Sequence, residues 1–191
     1  NGILLMQDDN KDGDRFFRYA KIQDGKAVES DEKWDLAGEF KEGLAPVRNK
    51  NERVKFINEN YEEVFVVEAE KVTHFNEGMA AIANDDNKWG FINKEGKEVI
   101  DTKYDFVSNG FHDGYAIVGN NTDDEKEFFI IDKSGNVKLD LGDKYQNVIS
   151  LSSGLLKVID DGELGFIDLE GNIVIKPSDE WTSVTDFYNG F

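Results

Sequence analysis

The chain has no cysteine, which removes disulfide frameworks, thiolate metal sites and cysteine nucleophiles at once. Histidine is almost as scarce. His74 and His112 are the only imidazoles, and each adjoins a phenylalanine at a repeat boundary, which reads as a surface or packing position rather than an acid–base catalyst. No apolar run approaches the ~18–20 residues of a membrane span, so no spanning helix is expected. Basic residues are in deficit: 22 Lys and Arg stand against 40 Asp and Glu, a formal charge of −18. That field repels phosphate backbones and anionic headgroups, which argues against nucleic acid and leaves cations and basic proteins as partners. H-E-x-x-H, G-x-S-x-G and a phosphate-cradling glycine loop are all missing. Two carboxylates can hydrolyse a glycoside, but acids scattered along the whole chain single out no pair. The expectation is a protein that is not an enzyme, with no catalytic residue to assign.

What is present is bulk in short pieces. At 191 residues and 39% hydrophobic content, with 14 Phe, 6 Tyr and 3 Trp, the chain reads as one domain, 1–191, able to bury roughly 70% of its unfolded surface. A start at Asn1 instead of Met reads as a processed or excised piece. Apolar residues nowhere hold helical spacing over the ~10 residues a helix needs. They come in blocks rich in β-branched and aromatic residues, punctuated by Gly, Asn and Asp, which is strand spacing.

The blocks repeat. "FKEGLAPV" from Phe40, "FNEGMAAI" from Phe75, "FHDGYAIV" from Phe111, "LSSGLLKV" from Leu151 and "FYNGF" from Phe187 start 35, 36, 40 and 36 residues apart. Each full copy continues with a second block ("VKFIN", "WGFIN", "FFIID", "LGFID"), and three of them with a Gly-centred turn and a third block ("KEGKEVI", "KSGNVKL", "LEGNIVI"). The longest spacing comes from "GNNTDDEKE", an extended form of the loop that reads "ANDDNK" one copy earlier. Units are thus expected at 40–74, 75–110, 111–150 and 151–186, with a degenerate unit at 1–39 and the start of another at 187–191. In the first block, Ala45/Val47, Ala80/Ile82, Ala116/Val118 and Leu156/Val158 fall on one face of a period-two strand. Gly96, Gly135 and Gly171 suit the left-handed position of a hairpin turn. Gly90 and Gly165 sit inside a strand pattern, the sign of a close backbone neighbour, and Pro46 belongs at an edge or facing a loop.

The stretch "FNEGMAAIANDDNKWGFINKEGKEVIDTKYDFV", 75–107, resembles the bacterial WG repeat, whose pattern runs F-x-x-G-L-A-x-V, K-W-G-F-I-D, G-x-x-V-I, Y-D. Phe75, Gly78, Trp89, Gly90, Phe91 and Gly96 carry the signature, and "LGFIDLEGNIVI" keeps much of it. The resemblance implies a repetitive β architecture and an accessory or interaction role, often in envelope or secreted bacterial proteins, with no shared catalytic residues. Two all-β arrangements fit: an open array or solenoid of units packing on their neighbours, which lean units of this length favour, and a small five-bladed propeller closed by its termini, in which "GILLM" at one end completes "FYNG" at the other.

Three sets of residues are candidates for binding. Asp8, Asn10 and Asp12, followed by Gly13, match the opening of a calcium loop, yet Tyr19 occupies the twelfth position, where a bidentate acid is required; a solvated loop is the plainer reading. Asp85–Asp86, Asp123–Glu125 and Asp160–Asp161 recur at one place in the repeat and, stacked in register, would form an acidic ridge. Trp34, Tyr104, Tyr145 and Trp181 precede successive unit boundaries and would make a ligand-binding strip for a glycan or peptide, or else cover the seams between units. The leading expectation is a protein-binding or scaffolding module for a basic protein partner, with carbohydrate binding through the aromatic row as the alternative and no cofactor beyond a loosely held calcium.

Overall fold

The computed structural model describes residues 2–9, 14–123 and 125–180, so Asn10, Asp12, Gly13, Trp181 and Phe187 lie outside the described residues. Every regular element among them is a strand, and the strands form five small antiparallel sheets, none closed on itself. The first sheet holds β1 (Ile3–Asp9), β2 (Arg15–Gln23) and β3 (Lys26–Glu29), in that order. Four-stranded sheets follow, each ordered as its strands occur in the chain. They are β4 (Leu36–Ala37), β5 (Leu44–Arg48), β6 (Val54–Asn58) and β7 (Glu63–Val67); then β8 (Lys71–Val72), β9 (Met79–Ala83), β10 (Trp89–Asn93) and β11 (Glu98–Tyr104). The fourth sheet is β12 (Phe106–His112), β13 (Tyr115–Asn121), β14 (Lys126–Asp132) and β15 (Val137–Gly142), and the fifth β16 (Asn147–Ser152), β17 (Leu155–Asp160), β18 (Glu163–Asp168) and β19 (Ile173–Ser178).

The all-β repeat expected from the sequence is therefore the fold, with one strand more than the three blocks indicated in each of the four-stranded sheets. The additional strand precedes F-x-x-G as β4 and β8 or runs into it as β12 and β16, so these four sheets begin a few residues ahead of the sequence unit. A four-stranded sheet fits this short repeat because β4 and β8 have two residues each. The long third spacing is a longer hairpin, in which β13 and β14 stay paired out to Asn121 and Lys126.

Contacts divide the chain into two compact units, Asn1–Asp86 with Ile92–Lys97 and Asn87–Phe91 with Glu98–Phe191. In the first, Tyr19 and Trp34 pack with Ala45, Val47 and Ile57, which joins the first sheet to the second. Phe56, Val67 and Phe75 pack with Ala80, Ile82 and Ile92 to join the second to the third. In the second unit, Ile117, Phe128 and Ile130 meet Val148, Leu156 and Val158 in the same way. The paired positions of the first block are all buried as expected, but so are their alternates Ala81, Ile117 and Lys157. These strands lie inside stacked sheets and are covered on both faces, so period two does not separate core from solvent there. Phe75 and Phe111 are core, 1% and 0% exposed, while Phe40 is half-buried.

Pro46 stands on β5, an inner strand rather than an edge. Its ring is accommodated because β4 stops at Ala37. The next residue, Gly38, faces Pro46 and donates its N–H to the Pro46 carbonyl at 2.8 Å, and a Cβ on Gly38 would stand 2.8 Å from the Pro46 ring. The missing donor thus points past the end of a very short strand.

The turn into each final strand repeats closely. Gly96, Gly135 and Gly171 have φ of 75°, 80° and 83°, the left-handed conformation the sequence pattern called for. The second sheet puts Tyr61 at the same place, with φ 67°, where a side chain costs roughly 1–2 kcal/mol. Its ring offsets that strain by stacking on Tyr19, centroids 5.8 Å apart and planes at 14°.

Candidate functional site

The loops joining the second and third strands of the sheets carry the acids, as the repeat indicates. In the second unit Asp123 and Glu125 of the β13–β14 loop share a cleft of about 560 Å³ with Asp160, the last residue of β17, and Asp161 after it; Asp143, Lys126 and Lys144 complete its charged wall. In the first unit Glu52 of the β5–β6 loop and Asp85–Asp86 of the β9–β10 loop line a cleft of about 490 Å³, together with Arg48, Arg53 and Glu68. Neighbouring loop tips therefore do come together, pair by pair, with cations interleaved. The interleaving has a physical reason, because like charges packed without counter-charges repel. Among the described residues no group of three or more His, Asp or Glu is arranged to hold a metal ion.

What holds these loops in place escaped the sequence reading. After Trp34, Tyr104 and Tyr145, the next residue clamps the hairpin of its own sheet. An Asp35 carboxylate oxygen accepts the Lys50 N–H, Asp105 accepts the Asn121 N–H at 2.9 Å, and the Gln146 side-chain oxygen accepts the Gly162 N–H at 2.7 Å. Asp105 is also held by the Lys88 ammonium at 2.6 Å, whose hydrogen bond, with that from Asn121, keeps its carboxyl below the ordinary range. A second clamp links successive copies through the acid of F-x-[ED]-G. Glu42 accepts the Gly78 N–H and Asp113 accepts the Gly154 N–H, each at 3.0 Å. Burial pulls the Glu42 carboxyl upward, but Lys94, at 3.1 Å, and the turn N–H groups outweigh it and leave it lowered. The turn acids Asp132 and Asp168 are lowered as well, chiefly by hydrogen bonds from the Asn136 and Asn172 side chains. The Y-D of the repeat pattern marks Asp105 in the sequence, but not the amide that it holds.

The aromatic row is placed differently from a ligand strip. Trp34, Tyr104 and Tyr145 are 5%, 6% and 2% exposed, and a lysine ammonium stands over each ring: Lys55 at 4.9 Å, Lys103 at 5.3 Å and Lys144 at 5.1 Å. The Tyr145 hydroxyl is itself buried. The three rings are thus largely buried, as seam packing requires, and Trp181 lies outside the described residues. Tyr104→Ala should therefore lower the melting temperature by several degrees, the effect of roughly 2–3 kcal/mol for a lost buried ring. A melting curve unchanged to within a degree, with loss of glycan binding, would return Tyr104 to the surface.

The calcium reading is altered at its first residue. Asp8 and Asp9 belong to β1, paired with Phe16 and Arg15, so the loop starts later than "DDNKDGD" implied. The Asp8 carboxylate accepts a hydrogen bond from the Arg18 guanidinium at 2.8 Å; Asn10 and Asp12 are outside the described residues. His74 and His112 are exposed. Of the signature residues, Phe91 is fully buried, Trp89 half-buried, and Gly90 lies against the backbone of β11. No helix of the described residues is long and apolar enough to cross a membrane.

Comparison with known proteins agrees with this anatomy. The family model described as the WG containing repeat matches residues 31–52, 89–121 and 165–191. Two of these stretches open on the second block, at Trp89 and Gly165. No curated protein matches the chain. Among solved structures, the crystal structure of the tricorn protease is similar over 94% of this chain and 20% of that one, at 15% identity and a TM-score of 0.36. The chain spans about a fifth of that protein's length, and a likeness of this degree says nothing of activity.

Proposed function

We propose that this chain, a carrier of WG containing repeats, is a non-catalytic protein-binding or scaffolding module that offers its acidic loop tips to a basic partner. The observation that supports the reading is the pairing of loop acids in shared clefts, Asp123 and Glu125 with Asp160 and Asp161 above all. These carboxylates sit on hairpins fixed by backbone hydrogen bonds, and a charge of −18 surrounds them. Rigid, exposed acids steer an oppositely charged protein and set its register without needing a deep pocket.

Binding to a lysine-rich peptide, followed by fluorescence anisotropy at two salt concentrations, tests this. Neutralising one loop (Asp160→Asn with Asp161→Asn) should weaken binding about two- to fivefold, as exposed charges do. Neutralising Asp123 and Glu125 as well should weaken it further, and added salt should flatten the difference. Binding indifferent to both loops and to salt would overturn the reading.

A further inference from the structure

The last strand of each sheet, β3, β7, β11, β15 or β19, is paired on one side only among the described residues. Of the ten large apolar side chains exposed among the described residues, seven lie on these five strands: Val28, Val64, Val66, Val99, Val137, Ile173 and Val174. A one-sided strand with exposed β-branched residues is a template for another strand, and proteins blunt it with lysine, proline or a bulge. Four of the five follow that rule. Lys26, Lys103 and Lys138 guard β3, β11 and β15, and Lys176 with Pro177 guards β19. The fifth does not: β7 reads Glu63-Val64-Phe65-Val66-Val67, with neither lysine nor proline. Its register with β6 carries a bulge, but β15 and β19 have bulges too, so the missing lysine and proline are what set β7 apart.

We infer that β7 is a docking edge, to which a partner adds an extended, lysine- or arginine-bearing segment as a further strand. This rests on the protein-binding reading and names where and how the partner engages. Val64 and Val66, each 48% exposed, project from the same side of β7, while Phe65 turns inward against Phe56 at 5.1 Å. The backbone ladder supplies affinity, and alternate side chains supply choice, as in strand addition generally. Apolar residues of the incoming strand meet the two valines. Its cations meet the acids around the strand. Lys55 answers Glu63, and Arg53 answers Glu68, while the Glu62 carboxylate accepts a hydrogen bond from the uncharged Asn58 amide. A second copy of this chain is a poor occupant, since it would bring another −18 to the same acids.

The probe is a labelled eight-residue peptide of alternating lysine and valine, compared with one broken by a central proline and one with glutamate for lysine. Wild-type chain should bind the first at least tenfold more tightly than the other two. Val66→Lys, which installs the guard its neighbours have, should cost at least tenfold, whereas Val99→Lys on already guarded β11 should stay within twofold. Should Val66→Lys fail to fold, Val66→Thr weakens binding about threefold, and peptide slows hydrogen exchange at β7 amides of the wild type. Equal losses for Val66→Lys and Val99→Lys, or equal binding of the proline-broken peptide, would overturn the inference and leave simple charge attraction. Concentration-dependent dimers of wild type that Val66→Lys abolishes would overturn it in favour of a second copy. If β7 proves inert while the loop neutralisations still act, the strand edge falls and the protein-binding reading stands.

Discussion

Gly90→Ala should unfold the protein or lower its melting temperature by about 10 °C, the effect of roughly 3 kcal/mol or more in a chain of this length. The reason is contact with backbone rather than with side chain. A Cβ on Gly90 would lie 2.3 Å from the Ile100 carbonyl oxygen and 2.7 Å from both the Asp101 carbonyl carbon and the Thr102 nitrogen. Overpacking a core with one methyl costs ~1–3 kcal/mol when side chains can turn aside, but here β10 and β11 would have to part. Gly165→Ala makes the internal comparison. Its Cβ would meet the Pro177 ring and nitrogen at 2.8 Å, a milder intrusion, so its loss should be the smaller of the two. Thermal unfolding followed by circular dichroism gives both numbers. A Gly90→Ala protein melting within 2 °C of wild type would mean that β10 and β11 do not approach so closely, and the repeat's Trp-Gly pair would need another explanation.

The Gly90 case also marks where sequence was legible. Glycine inside a strand pattern has few causes, and close approach was the right one at both Gly90 and Gly165. Left-handed turn positions were equally readable, except that Tyr61 shows a ring contact overruling the backbone preference. The two-residue strands β4 and β8 were not readable, because no periodicity exists in Leu36–Ala37 or Lys71–Val72; their strand state comes from the neighbour they pair with. The aromatic row was legible only as two alternatives, a ligand strip or a covered seam. A stripe on the surface and a seam between sheets recur with the same period, so spacing cannot separate Trp34, Tyr104 and Tyr145 as binders from the same residues as packing. Burial decides it. The loop clamps by Asp35, Asp105 and Gln146 join residues 15 or 16 positions apart, a relation that appears only once the strand register is known. The acids they hold in place were visible as a recurring loop composition, whereas their pairing in clefts required the sheets to stack.

Phe75→Ala tests that stacking. The ring is 1% exposed and meets Phe56 edge-on, centroids 5.0 Å apart at 61°, within the cluster that joins the second and third sheets. Truncating a buried phenylalanine to alanine costs ~3–5 kcal/mol through lost burial and the cavity left behind. Set against the ~5–15 kcal/mol that holds a typical domain together, that loss takes a large share, and the melting temperature should fall by about 10 °C or more. Phe40 occupies the same motif position but is only half-buried, so Phe40→Ala should cost clearly less; motif membership alone would predict equal losses. A double-mutant cycle with Phe56→Leu and Phe75→Leu should return a coupling of ~0.5–1.5 kcal/mol, the value of a well-placed aromatic pair beyond its burial. Equal costs at Phe40 and Phe75, with no coupling to Phe56, would mean that these sheets are held together by something other than their repeat-opening phenylalanine.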